Sequence, residues 1–129
     1  MERYSPQEVL KGPPFSMGVR NGQTLYVSGQ AGIDPSTNTV AGPDLDTQVA
    51  FTMRNIEEVL ARAGMTLGDV VQATVYLADR SLYVPFNDLY KTYFREPYPA
   101  RTVVYCELNY DLLVEIDVVA SAEKDKTYY

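Results

Sequence analysis

Histidine is absent from the chain, and that absence removes more chemistry than any single residue adds. Imidazole is the usual base of serine and cysteine hydrolases and the commonest transition-metal ligand, so those mechanisms drop out. Cysteine is nearly absent too. Cys106 stands alone, which excludes an intrachain disulfide and a thiolate zinc site and leaves a small buried apolar residue as its expected role. Basic residues are few, 11 Lys and Arg against 17 Asp and Glu, and they form no cluster. A net charge of −6 without a basic face argues against nucleic acid as a partner. Every apolar run is too short to span a bilayer, and Glu2, Ser5, Pro6, Gln7 and Glu8 interrupt any leader-like opening. A cytoplasmic protein without membrane contact is expected, working through carboxylate, arginine, hydroxyl and backbone groups with water as a reacting partner.

What is present reads as one domain over residues 1–129, with a core between about 12 and 120 and a frayed tail over 121–129. Ser5-Pro6-Gln7-Glu8 has capping-box spacing and permits a short helical turn before Gly12. Strands are predicted from Phe15 to Val19 and from Thr24 to Ser28 around the turn Arg20-Asn21-Gly22. A Gly-, Pro- and Asp-rich loop follows from Gly29 to Asp46, with a short extended piece near Thr39 to Ala41.

Val49, Met53, Ile56, Leu60 and Ala63 recur on one helical face, between an N-cap at Asp44 or Asp46 and a terminating Gly64. Val70 to Leu77 reads as a strand. Phe86, Leu89, Tyr90, Tyr93 and Phe94 form a second helical face, a core stripe rather than a cofactor box, ended by Pro97 and Pro99. Ala100 to Cys106 and Leu113 to Ala120 complete the sheet through a loop at Asn109-Tyr110-Asp111. Two strands, helix, strand, helix, two strands make an α+β sandwich, one mixed sheet with two helices on one face.

Two charged residues break the apolar pattern of the last strands, Arg101 and Glu115. A permanent cation and a carboxylate in half-buried strands are costly unless they bind each other or a ligand. Alternation sets Val114, Ile116, Val118 and Ala120 toward the helices and Leu113, Glu115, Asp117 and Val119 away from them. If Thr102, Val104 and Cys106 also point toward the helices, Arg101 and Val103 join Glu115, Tyr26 and Ser28 on the opposite face. That face is too apolar for water and too polar for a core, so a second subunit is expected to cover it.

Leu25-Tyr26-Val27-Ser28-Gly29-Gln30, Val70 to Leu77, Asn87 with Tyr90 and Phe94, Pro99-Ala100-Arg101 and Val114-Glu115-Ile116 together resemble the YjgF/YER057c/UK114 family, also called Rid, the reactive intermediate deaminases. The resemblance runs from about Gly12 to Ala120. It implies a chorismate-mutase-like fold, a homotrimer with sites at subunit interfaces, and cofactor-free hydrolysis of 2-aminoacrylate-type enamines and their imines to 2-oxo acids and ammonia. Arg101 would then grip the substrate carboxylate with its planar fork, and Glu115 would orient or activate water. Backbone groups near Ser28, Gly29 and Val103 would hold the imine and carboxylate, with Phe15 and Asn87 at the pocket wall. No metal, flavin or nucleotide is required by that chemistry.

The chain departs from the family pattern at Phe15, where tyrosine is common, at Val103, where the best-known deaminases carry cysteine, and in the 109–111 loop, which lacks a Pro-Lys pair. Tolerance for apolar substrate side chains is the expectation. Taken without the resemblance, Arg101 fits a structural ion pair at a subunit contact, and Asp117 competes with Glu115 for the water. Ser28 could instead bond its own turn. Two other functions stay open: a non-catalytic sensor, inhibitor or chaperone-like binder of small carboxylates, and a deaminase of larger, aminomuconate-type enamines.

Overall fold

The computed structural model describes residues 14–129, so the helical turn expected at Ser5 to Glu8 lies outside the described residues. Strand β1 (Gly18–Asn21) pairs antiparallel with β2 (Thr24–Ala31), Asn21 opposite Thr24, around Gly22 at φ +64°. The first strand therefore ends two residues later than the pattern predicts, while β2 begins at Thr24 as expected, because Gly22 takes the left-handed conformation and the turn narrows to Gly22-Gln23. Strand β2 also runs three residues past Ser28, so the expected loop begins only at Gly32. A two-strand ribbon follows, β3 (Ile33–Asp34) with β4 (Thr39–Val40), close to the short extended piece expected there.

Helix α1 (Leu45–Arg62) starts at Asp44, whose Oδ2 accepts from the Thr47 amide at 2.9 Å and from its hydroxyl at 2.8 Å. Gly64, at φ +72°, ends it. After β5 (Val70–Leu77), helix α2 (Tyr83–Tyr93) carries Pro85 in its first turn, where the missing N–H has no intrahelical partner to lose. Strands β6 (Ala100–Tyr105) and β7 (Val114–Ser121) complete a five-stranded mixed sheet in the order β1-β2-β7-β5-β6. Only the β5–β6 pair is parallel. Beyond β7 the Ala122 amide donates to the Gln23 carbonyl at 2.8 Å and the Glu123 amide to Ser121 Oγ at 3.1 Å.

Helix and sheet meet in one core. Val49, Met53, Ile56 and Leu60 of α1 and Phe86 of α2 pack on Val75, Leu77, Val114, Ile116 and Val118, each of them at most 1 % exposed. Burying each such side chain contributes roughly 1.5–3 kcal/mol, so this layer dominates the stability of the fold. Gln48 is buried among them. Its Nε2 donates to the Gly42 and Asp111 carbonyls at 2.8 and 3.3 Å, and its Oε1 accepts from the Leu113 amide at 2.7 Å. One amide side chain thus ties together the two loops that approach the site.

The assignment of β6 faces is corrected by the register. Arg101 lies beside Ala73 and Val103 beside Val75, and both partners are fully buried under the helices. Arg101 and Val103 therefore face the helices, and Thr102 and Val104 face away. Both alternating sets of this strand mix polar with apolar residues, so alternation by itself had no preferred face. The structure decides because β6 is the last strand, where a helix-facing side chain can still reach the rim.

Candidate functional site

On the helix-free face, the sheet presents a row of polar groups along its middle. Glu115 and Asp117 project from β7, and Tyr76, the cross-strand partner of Glu115, projects from β5. The Tyr76 hydroxyl donates to Asp117 Oδ2 at 3.0 Å. Register between β2 and β7 slips between Val27 and Gln30, leaving Ser28 and Gly29 as a bulge. The bulge brings Gly29 so close to Glu115 that a Cβ there would meet the Glu115 carboxylate, which would have to swing aside. Ser28 is committed locally: its hydroxyl donates to the Ser16 carbonyl at 2.6 Å and its amide to Met17 O at 2.9 Å.

These residues open on a groove of about 790 Å³ whose walls include Phe15, Met17, Ser28, Gly29, Leu112, Glu115 and Asp117. Asn55 of α1 braces its floor, donating to the Ala31 and Ile33 carbonyls at 3.0 and 2.9 Å. Burial, with the Asp117 charge adding to it, pushes the Glu115 carboxyl above the usual carboxylate range. The bond to Asp117 raises the Tyr76 phenol, so the hydroxyl remains a donor at neutral pH.

Arg101 belongs to a different place. Its guanidinium carbon sits 4.8 Å from the Tyr90 ring centroid, 5.9 Å from Tyr83 and 6.0 Å from Phe86, all on α2. Tyr90 in turn stacks on Phe94 at 4.6 Å, so the cation rests on an aromatic shelf. Among the described residues Arg101 makes no hydrogen bond or ion pair; the one ion pair is Glu58–Arg62. Two further polar atoms of α2, the Tyr90 hydroxyl and Asn87 Oδ1, are buried without a hydrogen-bond partner among the described residues. Burial pushes the Tyr90 phenol up to about 12, against the opposing pull of Arg101.

The structure thus brings together Phe15, Ser28, Gly29 and Glu115 and leaves Arg101, Val103 and Asn87 elsewhere. Arg101 and Glu115 do not share a face. They are two strands apart across the sheet and three residues apart along it, about 14 Å between Cα atoms by strand geometry, with side chains on opposite sides. No group of three His, Cys, Asp or Glu side chains among the described residues is placed to hold a metal. None of the described helices is long and apolar enough to cross a membrane.

The family model described as endoribonuclease L-PSP matches residues 7–122, nearly the whole chain. The chain belongs to the RidA/YjgF/L-PSP family. A RutC family protein of Sulfurisphaera tokodaii is 42% identical over 109 residues, covering 84% of this chain and 87% of its own. A 2-iminobutanoate/2-iminopropanoate deaminase of Mus musculus is 35% identical over 108 residues, covering 83% and 80%. The solved structure of RidA from an Antarctic Psychrobacter superposes with a TM-score of 0.81 at 33% identity, covering 85% of this chain and 89% of that one. The α+β arrangement of one mixed five-stranded sheet and two helices is that of the YjgF structures.

Within this Rid-family chain, sequence reasoning passed over three residues of the two sites. Tyr76 was legible: in β5 the polar or aromatic positions Gln72, Thr74 and Tyr76 alternate with buried Ala73, Val75 and Leu77. Met17 lies in the groove wall just before β1, and strand alternation over Phe15 to Val19 would have set it beside Phe15. Tyr90 was read only as core, which its ring is, while its contact with Arg101 crosses from helix to sheet edge and leaves no trace in local spacing.

Proposed function

We propose that the protein is a cofactor-free hydrolase of reactive 2-imino and enamine acids of the 2-aminoacrylate/2-iminopropionate type, releasing a 2-oxo acid and ammonia. The observation that carries this reading is the pair of unsatisfied charged groups: a guanidinium on an aromatic shelf without an anion, and a carboxyl in a groove without a hydrogen-bond partner among the described residues. The mouse relative is named for this activity.

Because the two groups lie on opposite faces of one sheet, the site requires Arg101 of one copy beside Glu115 of another. The open face supports such an assembly, since Val19, Tyr26 and Val104 are exposed on it at 54, 51 and 38 %. A homotrimer closes three equivalent clefts by one repeated contact. In each cleft the Arg101 fork takes the substrate carboxylate in two parallel hydrogen bonds, fixing the imine carbon over the groove. A water held by Glu115 adds to that carbon, the C–N bond breaks, and ammonia leaves, so that imine plus water gives 2-oxo acid plus ammonia. The carbon is already electrophilic, so placement supplies most of the acceleration. The groove walls at Phe15, Met17 and Leu112 favour substrates with apolar side chains.

The test generates 2-iminopropionate in place from alanine with an amino-acid oxidase and follows its trapping by semicarbazide. Wild type should remove the imine before it is trapped, and Arg101→Ala should lower kcat/KM by about a hundredfold or more. Equal rates for the two proteins would refute the reading for that substrate.

A further inference from the structure

Imine hydrolysis needs one group that gives a proton and takes one back, twice. The imine nitrogen is protonated as water adds to carbon, and the water's proton returns to the carrier. The carrier then protonates the amine of the carbinolamine, the C–N bond breaks, and the hydroxyl proton returns as ammonia leaves. An ordinary carboxyl, ionised far below neutrality, seldom carries the first proton.

We infer that Asp117, clamped by the Tyr76 hydroxyl, is a positioning residue that makes Glu115 this proton carrier. Three observations converge. Asp117 and Glu115 sit two residues apart on one face of β7, roughly 6.6 Å between Cα atoms by strand geometry. The cross-strand partner of Glu115 is Tyr76, whose hydroxyl reaches past it to Asp117 at 3.0 Å. Asp117 also lines the same groove and, among the described residues, pairs with no cation. The hydroxyl bond holds the Asp117 carboxylate in place beside Glu115, and its charge adds to the burial that disfavours ionisation of Glu115. The two carboxylates are thereby given different tasks, one held in place by a hydrogen bond and the other left to carry the proton.

Other groups face the pair: Tyr76 from β5, Cys106 beyond it past the end of β6, Tyr26 from β2, Tyr110 from the loop before β7, and Glu58 and Arg62 on the α1 wall. In the proposed assembly Arg101 of a second copy joins them. It lowers the absolute titration point of Glu115 and leaves the direction of the Asp117 effect unchanged.

The inference rests on the deaminase reading, and the experiment separates the two. The carboxyl carbons of ¹³C-glutamate-labelled protein are titrated by NMR, with Glu115 assigned by its loss in Glu115→Gln, and the pH profile of kcat/KM is recorded on 2-iminopropionate. In Asp117→Asn the Glu115 midpoint should fall by about half a pH unit or more, and the activity limb should move with it. An unchanged Glu115 midpoint in Asp117→Asn overturns the inference, as does a uniform loss of rate at every pH with no movement of the limb. If wild type turns over no imine, the deaminase reading fails, and the NMR shift alone then decides whether Asp117 governs Glu115.

Discussion

The Arg101 rim and the Glu115 groove are built on opposite principles. The rim is an apolar shelf under one charge: Phe86, Tyr90 and Phe94 supply rings and no ion pair. The groove is a set of polar groups fixed by hydrogen bonds and by the Gly29 bulge, with one carboxyl left over. A cation on rings is held in orientation without being neutralised, and a half-buried carboxyl beside a second anion is held ready to accept a proton. Each half lacks what the other has, which is the physical case for two copies meeting.

The harshest way to break that comparison is to put the two lesions in different protomers. Arg101→Ala and Glu115→Gln should each be inactive alone. Unfolded and refolded together, they should regain about a quarter of wild-type activity, because random mixing rebuilds one intact cleft in four. No recovery despite mixed oligomers on native mass spectrometry would mean that the two residues never share a site.

Next in size is Gly29→Ala, which touches only the groove. The new methyl pushes the Glu115 carboxylate aside, so kcat should fall by at least about tenfold, while stability should change little because the displaced atoms end a flexible side chain. KM for the substrate carboxylate, set at the rim, should change little. A variant that raises KM and spares kcat would merge the two regions into one.

Most of the fold could be read from residue spacing, whereas only half of the site could. Helix α1 was legible because its stripe, Asp44 cap and Gly64 stop agree with one another. Buried β7 was legible because Val114, Ile116, Val118 and Ala120 leave no doubt about its inner face. Edge strand β6 was not, since Arg101 and Thr102 are both compatible with either side and only the register to Ala73 settles them. Gly29 was named without its reason, because a β2 bulge pressed on Glu115 is a contact between strands far apart in sequence. Local patterns record burial well, and record poorly which polar groups meet across the sheet.

A third test reads the charge left in the groove. Folding raises the proton affinity of Glu115, so its ionised form costs stability. The cost is absent below the ordinary carboxylate pKa and complete once pH exceeds the raised value. Arg101→Ala removes the cation that the proposed assembly sets beside Glu115. Calorimetry should therefore give equal Tm values for Arg101→Ala and Arg101→Ala/Glu115→Gln in acid, with the double variant the more stable at neutral pH. A Tm gap independent of pH would show that folding does not raise the proton affinity of Glu115.

The smallest expected effect is at the shelf. Tyr90 buries a hydroxyl that has no partner within the described residues, while its ring carries Arg101. If the ring alone matters, Tyr90→Phe keeps the cation in place and relieves an unsatisfied donor. Stability should then rise by about 1 kcal/mol or less, with KM unchanged, whereas Tyr90→Leu should raise KM several-fold by loosening the guanidinium. A stability loss of about 1–3 kcal/mol in Tyr90→Phe would instead mean that the hydroxyl finds an acceptor in the assembled protein. That outcome would make the shelf, like the groove, a hydrogen-bonded site, and the contrast between the two halves would then rest on charge alone.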